Sequence, residues 1–153
     1  MNSKKDREKS TSFEILLKKN IIANCKWKSK EEVIDQIGQL LYESGYVNAD
    51  YTEAMLEREK VFSTNIGNGI ALPHGIEEAK DSIKKSGIAI MLFPGGTCWG
   101  EEEVTIVIGV AGVGDEHLEI LGNIANKLST PEAVKNLVKG DVDMVYQYFM
   151  EEE

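Results

Sequence analysis

The chain has 153 residues, of which 42% are hydrophobic, and a net charge of -9 at pH 7. This length and composition fit one globular domain with a single core rather than a disordered chain. Residues 1–30 contain nine basic and three acidic residues, which leaves 8 against 23, a net charge of -15, for the remainder. The strong negative charge of the chain after residue 30 argues against nucleic acid as a partner.

The sequence predicts neither a membrane helix nor a signal peptide. No stretch approaches the roughly 20 apolar residues of a membrane helix, and the N-terminus, MNSKKDREKSTS, lacks the apolar centre of a signal peptide. We expect a cytoplasmic protein without membrane insertion, with a flexible basic tail over residues 1–12 and one domain over residues 13–153. Cys25 and Cys98 form no CxxC pair or disulfide framework, which favours reduced thiols.

The first predicted elements are a strand and a helix. An apolar run over residues 21–27 predicts the strand. Ser29, with Glu32 three residues later, forms a capping box for a helix whose apolar residues repeat at helical spacing. Gly45 follows the last apolar residue of this pattern and predicts the end of the helix.

A second helix begins at Asn48 or Asp50 and leads to a segment rich in glycine. That segment, residues 63–75, contains three glycines and a proline, which predicts an ordered loop or an interrupted strand. Two apolar runs without helical period, residues 86–94 and 104–112, predict buried strands at the centre of a sheet. A glycine-rich and acidic loop, GGTCWGEEE, is expected to join them.

Three helices complete the predicted fold. Asp115 is the expected N-cap of the first, Thr130 and Pro131 open the second, and Asp141 caps the third. Strands and helices alternate along the chain, so the fold class is α/β, a single domain with a small mixed sheet and helices packed on its faces. The apolar stripe expected on the first of these helices consists of Leu118, Leu121, Ile124, Ala125 and Leu128.

His74 is one of only two histidines and stands in the stretch ALPHG. Pro73 fixes the approach of the chain, and Gly75 removes a side chain beside the ring, which leaves room for a bulky group to reach the imidazole. A loop histidine that makes a structural hydrogen bond explains the same pattern equally well.

His117 and Arg58 are the other candidate site residues. His117 lies about two residues inside a helix start, after a predicted central strand, where ligands of α/β sheets collect and anions are favoured. Arg58, near the end of the second helix, has a guanidinium that can fork onto a phosphoryl group. A position on the solvated surface, with no role in a site, is an open alternative for both residues. Together with His74 they describe a phosphoryl-accepting histidine that needs no metal or other cofactor.

The stretch REKVFSTNIGNGIALPHG resembles the active-site signature of the enzyme IIA domains of the sugar phosphotransferase system, fructose/mannitol type. The Arg-Glu pair, the Ser-Thr pair, the Gly-x-Gly and the Pro-His-Gly occur in order. The similarity continues through GYVNADYTEAMLEREK, WGEEEVTIVIGVAG and DEHLEILGNIANKL, so it covers the chain from about residue 20 to the C-terminus. The GEEE and DEHLEIL segments are closer to the mannitol branch than to the fructose or nitrogen-regulatory branches.

The resemblance implies a mixed sheet of about five strands with helices on both faces, and a phosphocarrier function. The carrier protein HPr is expected to phosphorylate His74, which passes the group to a cysteine of an enzyme IIB domain for uptake of a sugar or hexitol, here mannitol. Arg58 and His117 match the assisting residues, and the IIB and IIC permease parts are expected on separate chains. Further motif residues are expected to bind the phosphate or support the site: Glu59, Ser63, Thr64 and Gly75.

Two other functions stay open on the sequence. A protein with this fold can act as a regulatory phospho-switch, whose phosphorylation at His74 is read by a target protein. Alternatively, His74, His117 and Asp115 could form the facial triad of a metal-dependent hydrolase. All three functions use His74, so the geometry around His74 distinguishes between them.

Overall fold

The computed structural model describes residues 15–151, except for the side chain of Glu77, and the tail predicted over residues 1–12 lies outside them. The strands in this part of the chain are β1 (Ile21–Ile22), β2 (Asn65–Gly67), β3 (Ile70–Ala71), β4 (Gly87–Trp99) and β5 (Glu102–Ala111). The α-helices are α1 (Lys30–Glu43), α2 (Tyr51–Val61), α3 (Glu116–Lys127), α4 (Pro131–Val138) and α5 (Val142–Met150). Short 3₁₀ helices span Lys18–Asn20 and Glu77–Ser82.

The strands form one mixed sheet in the order β1-β4-β5-β3-β2. β4 and β5 pair antiparallel in its interior, β1 pairs parallel with β4, and β3 pairs parallel with β5. β2 closes the other edge, antiparallel to β3. The predicted α/β class is confirmed, and so is the five-stranded mixed sheet.

Side chains alternate along β4 between two hydrophobic cores on opposite faces of the sheet. Ile88, Ile90 and Leu92 belong to the core that α3, α4 and α5 cover. Met91 and Phe93 belong to the core that α1 and α2 cover. Because both faces are buried, the strand reads in the sequence as a continuous apolar run rather than an alternating one.

The helix boundaries follow the capping signals in the sequence. The hydroxyl of Ser29 accepts a hydrogen bond from the Glu32 N–H at 3.2 Å, and the Glu32 carboxylate accepts one from the Ser29 N–H at 3.2 Å, which completes the capping box. Gly45, just beyond the end of α1, has a φ of 80°, which favours glycine. Thr130 and Asp141 cap α4 and α5 through their side chains. None of the described helices is long and apolar enough to cross a membrane.

Two strand predictions are wrong in extent. β1 ends at Ile22 rather than at residue 27, because Asn24 adopts a left-handed conformation (φ 55°) that breaks the strand. The segment predicted as a glycine-rich loop instead continues β4 to Trp99, and β5 starts only three residues later. A register shift between Leu92 and Thr97 accommodates the glycines of this hairpin.

The apolar stripe predicted for α3 is also partly wrong. Ile120 and Ile124 are buried in the helix and Leu128 is buried just after it, whereas Leu118 is 71% exposed and Ala125 is exposed. Two residues along an α-helix are about 200° apart, so a helix that buries Ile120 points Leu118 towards solvent. The helix that carries His117 therefore presents a large apolar side chain at its surface.

Candidate functional site

The loop after β3 carries His74 to the end of β5. β2 and β3 are joined by a tight turn in which Asn68 and Gly69 have φ values of 56° and 75°. Beyond β3 the chain continues beside β5, where the Val110 N–H donates to the Pro73 carbonyl at 2.9 Å and His74 forms a parallel bridge with Val110. His74 thus lies at the C-terminal end of a central strand, where α/β proteins bind ligands.

The His74 ring is held in one tautomer. Its Nδ1 lies 2.8 Å from the carbonyl oxygen of Leu72. A carbonyl oxygen can only accept, so Nδ1 carries the proton and Nε2 of the neutral ring keeps its lone pair. The side chain is partly buried, and this burial lowers the pKa of His74. The Leu72 hydrogen bond opposes that shift, the positive charge of Arg58 reinforces it and the negative charge of Glu59 opposes it.

Helix α3 places the second histidine against the first. Asp115 occupies the predicted N-cap position, although its side chain makes no capping hydrogen bond. His117 is the second helical residue, and its ring centroid lies 5.1 Å from that of His74, with an interplanar angle of 58°. Gly112 permits this approach, since a Cβ there would collide with the backbone of His117. The rings of the two histidines of the chain therefore lie next to each other.

Arg58 lies in the last turn of α2 and is close enough to act on the same ring. Its Nη1 donates to the carbonyl of Phe62 at 3.0 Å, and its guanidinium carbon lies 5.8 Å from the centre of the Phe62 ring. The charge of Arg58 is one of the causes that lower the pKa of His74. A guanidinium has five N–H donors, so the bond to Phe62 leaves capacity for a bidentate contact with phosphoryl oxygens.

Glu59 is a buried carboxylate, 5% exposed, behind the histidine loop. It accepts hydrogen bonds from the Thr64 N–H at 2.8 Å, the Thr64 hydroxyl at 2.6 Å and the Trp99 indole N–H at 3.0 Å. The Lys30 ammonium lies 3.3 Å from Glu59 Oε2. These donors offset the cost of burying the charge and join α1, α2 and the β4–β5 hairpin at one point.

Thr64 connects this carboxylate to the histidine loop. Its carbonyl accepts the Leu72 N–H at 3.0 Å, and the Leu72 carbonyl in turn accepts the proton on His74 Nδ1. Ser63 is exposed, and its hydroxyl accepts the Asn65 N–H at 3.2 Å, a local turn contact. Of the Ser-Thr pair, the threonine is therefore the residue that contacts the framework of the site.

The glycine at position 75 is required by a contact that the sequence does not indicate. A Cβ at this position would lie 2.6 Å from Cε1 of Tyr51, so the close approach of the Tyr51 ring requires the glycine. The Gly75 N–H donates to the Tyr51 hydroxyl at 2.8 Å. Tyr51 lies at the start of α2 and is 2% exposed. Tyr51 stands in the family-like segment GYVNADYTEAMLEREK, but nothing in that segment marks it as a site residue.

Residues 14–152 match the family described as phosphoenolpyruvate-dependent sugar phosphotransferase system, EIIA 2. The chain belongs to this family. A mannitol-specific phosphotransferase enzyme IIA component from Halalkalibacterium halodurans is 45% identical over 124 residues, which cover 81% of this chain and 86% of the relative. The component of the same description from Bacillus subtilis is 44% identical over 136 residues, covering 87% and 95%.

A solved complex of enzyme IIA and phosphorylated enzyme IIB of the mannitol system from Escherichia coli contains a chain with the same fold as this IIA domain. The TM-score is 0.82 at 36% identity, and the match covers 88% of this chain and 96% of that chain. The family predicted from the sequence, including its likeness to the mannitol branch, is confirmed by these relatives.

The metal-hydrolase alternative requires a ligand cluster around His74. Between residues 15 and 151 no group of three or more His, Cys, Asp or Glu side chains could hold a metal ion. Asp115, the third member of the hypothetical triad, is an exposed residue. The described part of this IIA domain thus brings two histidines together without a third ligand of that kind.

The tautomer and the pKa of His74 can be measured by NMR of the imidazole nitrogens. We expect the proton on Nδ1, and a pKa below the 6.5 of an unperturbed histidine because burial disfavours the charged ring. Since folding lowers this pKa, the stabilisation from the neutral ring is complete above pH 6.5 and is lost as the pH falls below it. A His74→Gln variant assigns the signals. A pKa above 6.5, or a proton on Nε2, contradicts the geometry.

Proposed function

We propose that this IIA domain is a phosphocarrier of the phosphoenolpyruvate-dependent sugar phosphotransferase system. His74 accepts a phosphoryl group from phosphorylated HPr and passes it to a cysteine of an enzyme IIB domain, which uses it for uptake and phosphorylation of mannitol. The observation that carries this proposal is the neutral His74 ring, with Nδ1 bonded to Leu72 and Nε2 available, packed 5.1 Å from His117. We place the reaction in the cytoplasm and assign it to the domain over residues 13–153.

The first transfer exchanges one P–N bond for another. Nε2 of His74 attacks phosphorus in line while the bond to the HPr imidazole breaks, and that ring leaves neutral because its other nitrogen already carries a proton. His74 becomes positively charged as Nε2 is phosphorylated. The Leu72 carbonyl, which accepts from Nδ1 at 2.8 Å, stabilises this charge. In the second transfer a IIB thiolate attacks phosphorus and a P–S bond forms while the P–N bond to Nε2 of His74 breaks. The bonding electron pair stays on Nε2, so His74 returns to its neutral state.

Arg58 and His117 compensate the charge of the phosphoryl oxygens. A guanidinium at the end of α2 can donate two parallel hydrogen bonds to these oxygens. His117 lies in the first turn of α3, where the partial positive charge of the helix end also favours an anion. Preorganised donors of this kind are effective in catalysis because they do not have to reorient as charge develops.

Glu59 and Thr64 act as supporting residues in this proposal. The buried carboxylate accepts hydrogen bonds from the Thr64 N–H and hydroxyl. The Thr64 carbonyl accepts the Leu72 N–H, and the Leu72 carbonyl in turn orients the His74 ring. The Glu59 oxygens are engaged by Thr64, Trp99 and Lys30, so Glu59 is suited to support rather than to direct contact with the phosphate. Ser63 is assigned to the local turn.

Exposed apolar side chains flank the site and favour proteins as its partners. Phe62 and Ile66 follow Arg58 along the chain and are 69% and 50% exposed. Val113 and Leu118 flank His117 and are 44% and 71% exposed. Exposed aromatic and apolar side chains suit the centre of a transient protein interface. We assign this face to the successive docking of HPr and IIB.

Transfer of a labelled phosphoryl group tests the function. The protein is incubated with enzyme I, HPr and labelled phosphoenolpyruvate, repurified, and mixed with a mannitol-type or a fructose-type IIB domain. We expect one phosphate per chain, and faster loss of the label to the mannitol-type IIB domain. Labelling without loss to any IIB domain would contradict the transport role and favour the regulatory switch. Absence of labelling would refute both.

A further inference from the structure

The hydroxyl of Tyr51 joins two segments of the site that are far apart in the sequence. It donates to the carbonyl of Val110 at 2.9 Å and accepts the N–H of Gly75 at 2.8 Å. A tyrosine hydroxyl has one proton to donate and lone pairs to accept, so both bonds can form at once. Tyr51 thereby holds the histidine loop against the end of β5 from the side of α2.

These bonds bracket the backbone of His74. On one side, the Pro73 carbonyl accepts the N–H of Val110 at 2.9 Å. On the other, the Gly75 N–H reaches the carbonyl of the same Val110 through the Tyr51 hydroxyl. The peptide groups on both sides of His74 are therefore fixed to one residue of β5, directly before the turn that leads to α3 and His117.

We propose that the Tyr51 hydroxyl is a positioning group for phosphoryl transfer, which sets the place of the His74 ring relative to His117. This inference rests on the phosphocarrier function proposed above. Tyr51 has no role in binding the phosphate, since it is 2% exposed and belongs to the core between the sheet and α1 and α2. Burial also raises the pKa of Tyr51 to about 12, so the hydroxyl keeps its proton throughout the neutral range.

Removal of the hydroxyl should slow the transfer step without weakening partner binding. Tyr51→Phe keeps the ring but leaves the Gly75 N–H and the Val110 carbonyl without their partner, which allows the histidine loop to move. A displacement of about 1 Å at a reacting group can cost roughly 100-fold in rate. We expect a 10- to 100-fold lower single-turnover rate at saturating phosphorylated HPr, with an unchanged half-saturation concentration, because the buried hydroxyl cannot contact HPr.

Tyr148→Phe is the matched control. The Tyr148 hydroxyl donates to the Lys127 carbonyl at the other end of α3, so this variant also loses a tyrosine-to-carbonyl hydrogen bond but leaves the histidine loop untouched. We expect a lower melting temperature and an unchanged single-turnover rate. A slowing equal to that of Tyr51→Phe would show that loss of stability alone explains the effect, and would overturn the proposal.

Gly75→Ala disturbs the same contact from the other side, since its Cβ would lie 2.6 Å from Tyr51 Cε1. If both variants act through this contact, the double variant should be no slower than the slower single variant. This substitution also keeps the test decisive if Tyr51→Phe does not fold. Multiplied losses in the double variant, or an unchanged rate in Tyr51→Phe, would refute the positioning role.

A spectroscopic measurement separates this inference from the proposed function. The imidazole nitrogen signals of His74 and the dipolar contacts between the two histidine rings report their relative position, whether or not any phosphate is transferred. We expect both to change in Tyr51→Phe and to stay the same in Tyr148→Phe. If the unmodified protein accepts no phosphate, the phosphocarrier function fails while this result still decides whether Tyr51 positions His74; unchanged signals would refute the inference.

Discussion

A His74→Gln variant is expected to take up no phosphate from enzyme I, HPr and phosphoenolpyruvate, whereas the unmodified protein takes up one phosphate per chain. The glutamine amide nitrogen has no free lone pair comparable to that of Nε2, so the P–N bond cannot form. The bond in the unmodified protein should be acid-labile and base-stable. Glutamine fills a similar volume and can still donate to the Leu72 carbonyl, so the fold should be retained. Full labelling of this variant would refute His74 as the acceptor.

His117→Gln is the counterpart of that variant, because it changes the other ring of the histidine pair. Glutamine keeps a donor at the first turn of α3, so His74 should still be phosphorylated, but more slowly, and His117→Ala should be slower still. Loss of one donor at a developing charge costs roughly 100- to 1000-fold. In phosphorus-detected NMR the phosphohistidine signal should vanish with His74→Gln and persist with His117→Gln. The opposite pattern would reverse the two roles.

Arg58→Lys is expected to slow phosphoryl transfer roughly 100- to 1000-fold, the cost of one well-placed donor at a developing charge. Lysine keeps the positive charge but loses the planar fork, and it also loses the geometry of the bond to the Phe62 carbonyl. The rate is measured in single turnover with phosphorylated HPr, and circular dichroism reports whether the fold is retained.

Lys60→Gln is the control for Arg58→Lys, since Lys60 is an exposed cation in the same last turn of α2. Its replacement removes a full charge near the site but no proposed phosphate donor, so the transfer step should change far less than in Arg58→Lys. If Arg58→Lys transfers at the rate of the unmodified protein, Arg58 is part of a solvated helix face and the phosphate clamp must be assigned elsewhere.

Patterns among neighbouring residues predicted the helix starts and the two central strands of this fold. Capping residues such as Ser29 and Thr130 placed the helix starts, and apolar runs placed the two central strands. The connection between the two central strands, residues 95–103, was predicted as a loop, because its glycines disfavour a strand. Contacts distant in sequence override that preference: Thr97 exchanges hydrogen bonds with the backbone of Lys28, and the indole of Trp99 donates to Glu59.

The same distinction applies to the candidate site. His74, Arg58 and His117 were proposed from residue type, position and the family motif, and the structure places the rings of the two histidines 5.1 Å apart. Tyr51 was not proposed, because its contacts with Gly75 and Val110 span 24 and 59 residues and follow no periodic pattern. Leu118 was predicted to be buried on the basis of helical spacing, yet it is exposed beside His117. Departures from local patterns of this kind are expected where a surface serves a function.

The hydrogen bond between His74 Nδ1 and Leu72 also sets the regiochemistry expected for the proposed phosphorylation. With the pros nitrogen occupied by a proton and a carbonyl, only the tele nitrogen is open to phosphorus. We therefore expect the proposed phosphorylation to give the tele isomer of phosphohistidine, which an antibody raised against the pros isomer should not recognise. A hydrogen bond between two residues that are two positions apart would thus make the proposed phosphorylation selective between the two nitrogens of one imidazole.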